Sequence, residues 1–81
     1  MKLDPTPKFK ENLKKLPKET QEKFYKQANF LLRNLRYPSL RAKKYNEEFG
    51  IWQARVDRNI RFYFLIKEDY YILLDITSHP K

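Results

Sequence analysis

No cysteine occurs in this sequence. That excludes a disulfide framework and thiolate metal centres, and it fits the reducing cytosol, where the chain is expected to act. The single histidine, His79, cannot build a histidine-rich metal site, and neither metal nor cofactor is expected. Glycine also occurs once, at Gly50, so the demand for special backbone angles is concentrated in one turn. No apolar run approaches the roughly 20 residues of a membrane span, and the N-terminus lacks the apolar stretch of a signal peptide. No membrane partner is therefore expected. Repeats and low-complexity segments are absent as well.

What the chain does have is basic charge and aromatic bulk. Its 81 residues read as one domain, 1–81, with 18 Lys and Arg against 10 Asp and Glu, a formal net charge of +8. Such a charge draws a small protein towards polyanions, RNA or ribosomes among them. Only about two-thirds of the unfolded surface can be buried in a chain this short. An aromatic content of 16% strengthens so small a core, because each ring buries a large area.

The C-terminal half reads as sheet. Apolar residues alternate through Trp52, Ala54 and Val56, then Ile60, Phe62, Phe64 and Ile66, then Tyr70, Ile72, Leu74 and Ile76. A period of two predicts strands with one buried face. The opposite face then collects Gln53, Arg55, Arg61, Tyr63, Tyr71, Asp75, Thr77 and His79. Asp57-Arg58-Asn59 suits a hairpin loop with Asn59 left-handed. Val56 then pairs with Ile60, Ala54 with Phe62 and Trp52 with Phe64, which sets Arg55 against Arg61. Like charges directly across a ladder repel, so an anion between them is one reading. A second loop, Lys67-Glu68-Asp69, would place Asp75 opposite Arg61. An Arg61–Asp75 ion pair with a solvated Arg55 is the other reading. Trp52 and Tyr70 are expected in the core.

The N-terminal half reads as an edge strand and two helices. Residues 1–6 form the strand, and Pro7 suits the first turn of a helix over 8–16, with Phe9, Leu13 and Leu16 on one side. A second helix over 18–35 carries an apolar stripe of Phe24, Ala28, Leu31 and Leu35, widened by Tyr25 and Leu32. The lysines and glutamates of its other side read as a solvated face. Pro38 marks the following loop. Residues 41–47 read as a strand, and Glu47-Glu48-Phe49-Gly50 as the next turn. The expected architecture is α+β: an N-terminal strand and helical hairpin packed on one face of a mainly antiparallel four- to five-stranded sheet.

The open face gathers Lys43 or Lys44, Arg55, Arg61, Tyr63, Tyr71 and His79. Cleavage of RNA by its own 2′-hydroxyl needs a base, cations for the charge on the phosphorane, and an acid for the leaving 5′ oxygen. Histidine can serve as acid or base, arginine and lysine can stabilise charge, and tyrosine can stack on bases. Any basic RNA-binding sheet offers the same residue types, so composition alone leaves simple binding open.

The segments FKENLKKLPKETQEKF, LRNLRYPSLRAKKY and GIWQARVDRNIRFYFLI, followed by an apolar strand ending in histidine, resemble the RelE/ParE superfamily of bacterial and archaeal toxins. The most specific piece is Lys43-Lys44-Tyr45, a short gap, then Ile51-Trp52, Arg55-Val56 and Arg61, which looks closest to the RelE-type branch. The resemblance implies a toxin of a type II toxin–antitoxin pair that enters the ribosomal A site and cuts mRNA without a metal. Its implied partners are a cognate antitoxin, forming a hetero-oligomer, and the ribosome with its mRNA. By the same resemblance Arg61 sits against the scissile phosphate, Arg55, Lys43 and Lys44 supply further positive charge, and His79 is the acid or base. Gln53, Tyr63 and Tyr71 are the candidate RNA contacts, and Tyr45, at a place usually apolar in the family, is expected inward. Glu47 and Glu48 match an acidic base of some members on one reading and are solvated turn residues on the other, which their turn position favours. A gyrase inhibitor of the ParE branch and an inactive relative that only binds nucleic acid or antitoxin are the alternatives.

Overall fold

The computed structural model describes residues 1–78. Strand β1 spans Lys2–Pro5, helix α1 Pro7–Lys14, helix α2 Lys18–Arg33, and strands β2 to β5 span Lys43–Asn46, Ile51–Arg55, Ile60–Lys67 and Tyr70–Ser78. A 3-10 turn at Pro38–Leu40 joins α2 to β2. The sheet order is β1-β5-β4-β3-β2, parallel between β1 and β5 and antiparallel elsewhere. This is the expected α+β architecture, with five strands.

Local chemistry sets the helix ends. Thr6 caps α1: its hydroxyl accepts the Phe9 amide at 3.2 Å, and Pro7 opens the helix without losing a bonded N–H. Pro17 ends the first helix and starts the second, and Gln21 Nε2 ties the junction by donating to the Leu16 carbonyl at 2.8 Å. Phe9 and Leu13 of α1, and Phe24, Ala28 and Leu31 of α2, are buried against Ala54, Phe62, Phe64, Leu73 and Ile76 of the sheet. Ring contacts run unbroken through this core, from Phe9 to Phe24 (5.1 Å), Phe24 to Phe62 (5.3 Å), Phe62 to Phe64 (5.7 Å) and Phe64 to Tyr71 (5.5 Å). Trp52 stacks on Phe64 at 6.3 Å, in keeping with its expected structural role. Among the described residues, no helix is long and apolar enough to cross a membrane.

The β3–β4 register is the expected one, with Trp52 opposite Phe64, Ala54 opposite Phe62 and Arg55 opposite Arg61. Its loop closes differently. Asn59 is not left-handed; instead, Asp57 Oδ1 accepts the amides of Asn59 and Ile60, both at 2.8 Å. An aspartate that binds its own turn removes the need for a positive φ.

The β4–β5 hairpin departs from expectation. Lys67 pairs directly with Tyr70, so the turn has two residues, with Glu68 at φ 55. A one-residue slip exchanges the faces of a strand. Tyr71 and Leu73 therefore enter the core, while Tyr70, expected inside, is 40% exposed. A bulge then skips Leu74, since Phe64 pairs with Leu73 but Tyr63 pairs with Asp75, and Ile76 regains the core face. The Thr6 hydroxyl donates to the carbonyl of Leu74 at 3.3 Å, so the cap of α1 also serves the bulge. Tyr25 and Tyr45, both expected inside, are exposed; on α2 the inward place is taken by Gln27.

Candidate functional site

The face of the sheet away from the helices carries two cross-strand rows. One runs Arg55–Arg61–Thr77, and the other Lys43–Gln53–Tyr63, with Asp75 next in register but engaged by α1. Arg41 lies two residues before β2, beside Arg55. Arg41, Lys43, Gln53, Ala54, Arg55 and Arg61 line a depression of about 370 Å³, with no carboxylate in its wall among the described residues.

Arg61 is 9% exposed. Its Nη1 donates to the carbonyls of Asp57 at 2.7 Å, Arg58 at 3.2 Å and Ile60 at 3.3 Å, which fixes the guanidinium beneath the β3–β4 loop. The Arg61–Asp75 ion pair is not formed, because the two-residue turn at Glu68 and the bulge at Leu74 together set Thr77 opposite Arg61. Asp75 is engaged elsewhere. Its Oδ1 accepts from Asn12 Nδ2 at 2.7 Å and from the Ile76 amide at 2.8 Å, and its Oδ2 lies 3.4 Å from Lys8 Nζ.

Arg55 is left with positive neighbours. Its Nε is buried without a hydrogen-bond partner among the described residues. Burial, and then repulsion from Arg41, Arg61 and Arg58, push its guanidinium below the ordinary arginine value. An arginine so placed is still cationic near neutral pH. A buried donor without a partner among mutually repelling cations favours an anion: one phosphate would take up the free N–H and reduce the repulsion.

Gln27 holds this corner together. Its Nε2 donates to the carbonyls of Arg55 at 2.7 Å and Ser39 at 3.0 Å, and its Oε1 accepts from Ser39 Oγ at 2.9 Å. Helix α2, the 3-10 turn and the end of β3 are thereby joined behind the arginines. Arg41 takes the left-handed conformation, φ 46 and ψ 43, as the chain leaves the 3-10 turn. Neither residue, nor Arg58, is singled out by the sequence reading. Gln27 was detectable, as a polar residue three after Phe24 and four before Leu31 on the apolar stripe. Nothing in the local sequence marks Arg41.

The expected site residues divide. Arg55, Arg61, Lys43 and Gln53 come together. Tyr63 adjoins them: its hydroxyl accepts from Gln53 Nε2 at 3.1 Å, and Tyr45 meets its ring edge-on at 4.9 Å. Lys44 does not belong to the site. It pairs with Trp52, and its Nζ lies 5.3 Å from the centre of that ring, towards the helix side. Tyr71 does not belong either. It is 5% exposed in the core, against Phe64, because of the hairpin slip, and burial raises its phenol pKa. His79 lies outside the described residues; β5 is followed to Ser78, which pairs with Ile60.

No protein-family model and no curated protein matches this sequence. Solved structures do match. A YoeB/ParE toxin from Agrobacterium tumefaciens superposes with a TM-score of 0.82 at 15% identity, covering 99% of this chain and 100% of that one. This chain has the RelE/ParE toxin fold. A chain of the heterotetrameric YoeB–YefM toxin–antitoxin complex from Staphylococcus aureus gives a TM-score of 0.78 at 14% identity, covering 96% of this chain and 95% of that one. The archaeal RelE–RelB complex from Pyrococcus horikoshii gives 0.75 at 14%, covering 95% and 92%. At such identities the likeness is one of fold. Within that fold, the carboxylate-free arginine depression is this chain's own evidence about its ligand.

Proposed function

We propose that this protein is the toxin of a type II toxin–antitoxin pair and a ribosome-dependent, metal-independent endonuclease that inhibits translation by cutting mRNA in the A site. The observation that carries the reading is the buried Nε of Arg55, without a hydrogen-bond partner among the described residues, in a depression walled by Arg41, Lys43 and Arg61. A phosphodiester is the anion class that RNA brings to such a place. The 2′-hydroxyl oxygen attacks phosphorus as its proton passes to a base. The bond to the 5′ oxygen breaks, and that oxygen takes a proton from an acid. A 2′,3′-cyclic phosphate and a 5′-hydroxyl remain. Arg55 and Arg61 hold the phosphate and, with Lys43, offset the charge that grows on it. His79 is the proposed acid or base, and Tyr63, steadied by Gln53, is a stacking surface.

Few groups occupy this face, which is why positioning is assigned to the ribosome. The cognate antitoxin is the second proposed partner, as solved proteins of this fold are seen in YoeB–YefM and RelE–RelB complexes. The test is induction of the chain alone in a bacterial host, with growth followed and mRNA 5′ ends mapped by primer extension. New ends inside translated codons are expected, absent in an Arg61→Ala/His79→Ala double variant. Arrest with intact mRNA and trapped DNA–gyrase complexes would replace this reading with gyrase inhibition. Folded protein without arrest would leave an inactive binding relative.

A further inference from the structure

Arg41 and Arg55 line two hollows, not one. On their other side, towards α2, lies a larger cleft of about 710 Å³, whose wall also includes Lys23, Lys26, Arg58 and the aromatic pair Phe30 and Tyr37. Among the described residues Asp57 is the one acid in that wall, and it is already engaged. Its Oδ1 serves the turn amides, and its Oδ2 lies 3.8 Å from Lys23 Nζ. The cleft is therefore open to negative charge.

Two further observations bear on what enters it. Tyr37 lies flat on Phe30, with ring centroids 4.0 Å apart and planes 7° from parallel, yet remains 37% exposed. A ring already held in place by a partner offers a stacking surface with little ordering cost. Single-stranded bases use such surfaces regardless of sequence. Arg41, between the hollows, keeps a left-handed backbone that a non-glycine residue adopts at some cost, as happens where a side chain must be aimed.

We infer that this cleft is a second nucleotide subsite. Single-stranded RNA whose phosphate sits at Arg55 and Arg61 passes over Arg41 and places a neighbouring base on Tyr37, with the adjoining phosphate between Lys26 and Arg58. The inference rests on the RNA-cleaving reading and deepens it: it gives that reading a second point of attachment along the strand.

Fluorescence anisotropy with two fluorescein-labelled, fully 2′-O-methylated oligoribonucleotides, a trimer and a hexamer, separates the two hollows. The methyl groups block attack by the 2′ oxygen, so binding is read alone. The hexamer is expected to bind the wild type at least about tenfold more tightly than the trimer. Tyr37→Leu, which keeps apolar cover over Phe30 but loses the ring, should remove most of that gain. Tyr37→Phe should retain it. A Lys26→Ala/Arg58→Ala variant should flatten the dependence of log affinity on log salt by about 0.7 for each phosphate no longer neutralised, for the hexamer more than for the trimer. Arg61→Ala should weaken both probes.

If Tyr37→Leu and the double variant bind the hexamer like wild type while Arg61→Ala weakens both probes, the second subsite is wrong and the phosphate site stands. If the same cleft variants fail only to bind the antitoxin protein, the cleft is a protein-docking surface and the inference is again overturned. If neither probe binds, or Arg61→Ala changes neither affinity, the subsite is wrong; if Arg61→Ala also leaves mRNA cleavage in cells unchanged, the RNA-cleaving reading falls with it.

Discussion

At the scale of single residues, identity was legible where a turn of known length fixed the neighbours. The facing of Arg55 and Arg61 follows from one hairpin, whereas Lys43 and Lys44 were not separable by sequence and are told apart by the structure, which sets Lys43 opposite Gln53 and Lys44 opposite Trp52. Tyr71 was illegible, because residues 70–74 read YYILL and carry no alternation to show which side is inward. Its burial has a measurable consequence. The raised phenol pKa means that the folded chain holds a proton which the unfolded chain releases near pH 10. Unfolded protein then binds fewer protons than folded protein, so stability is complete below about pH 10 and falls as pH rises beyond it. Tyr71→Phe removes that loss. Urea unfolding at pH 8 and pH 11 should show a smaller fall for Tyr71→Phe than for wild type; equal falls would mean that this phenol is not buried.

At the scale of elements, the strands and helices were legible in kind and nearly in extent, and the errors sit at turns. The Glu68 turn and the bulge at Leu74 each displace the β5 register by one, and the two together return Ile76 to the core. A reading that assumes one uninterrupted strand can place Ile76 correctly and Tyr71 incorrectly at once. The turns themselves are testable as a reciprocal pair. Gly50 has φ +69, and an added Cβ there would meet nothing within 4 Å, so Gly50→Ala tests backbone preference without a clash. It should cost about 1 kcal/mol. Glu68 is a non-glycine residue at φ 55, and Glu68→Gly should change stability by less, to within about 0.5 kcal/mol of wild type or in its favour. Urea midpoints for the two variants check this, and a larger loss in Glu68→Gly than in Gly50→Ala would contradict the backbone account.

At the scale of the molecule, the fold class was legible because charge and apolar pattern agree: two helices and one sheet face enclose the aromatic core, and the cations are left outside. The location of the conflict was not legible. It needs Arg41, brought in by a left-handed residue, and Gln27, which pins α2 to the end of β3. A protein with net charge +8 that gathers arginines around a buried, unpartnered Nε favours binding over its own stability at that point. Two outcomes follow for thermal unfolding. Arg55→Ala removes the orphaned donor and a repelling charge, so its Tm should equal or exceed that of wild type even as RNA cleavage is lost. Inorganic phosphate should stabilise the wild type more than chloride does at the same ionic strength. Each tenfold increase in phosphate above its Kd adds about 1.4 kcal/mol, or roughly 6–11 °C for a domain of this size. General screening, and the stabilisation that phosphate gives any folded protein by being excluded from its surface, act on wild type and variant alike, so the part of the excess that Arg55→Ala loses reports the site. In Arg55→Ala that excess should shrink while the response to chloride persists. Equal shifts from the two salts in the wild type would mean that the arginines form a basic surface and not a phosphate site.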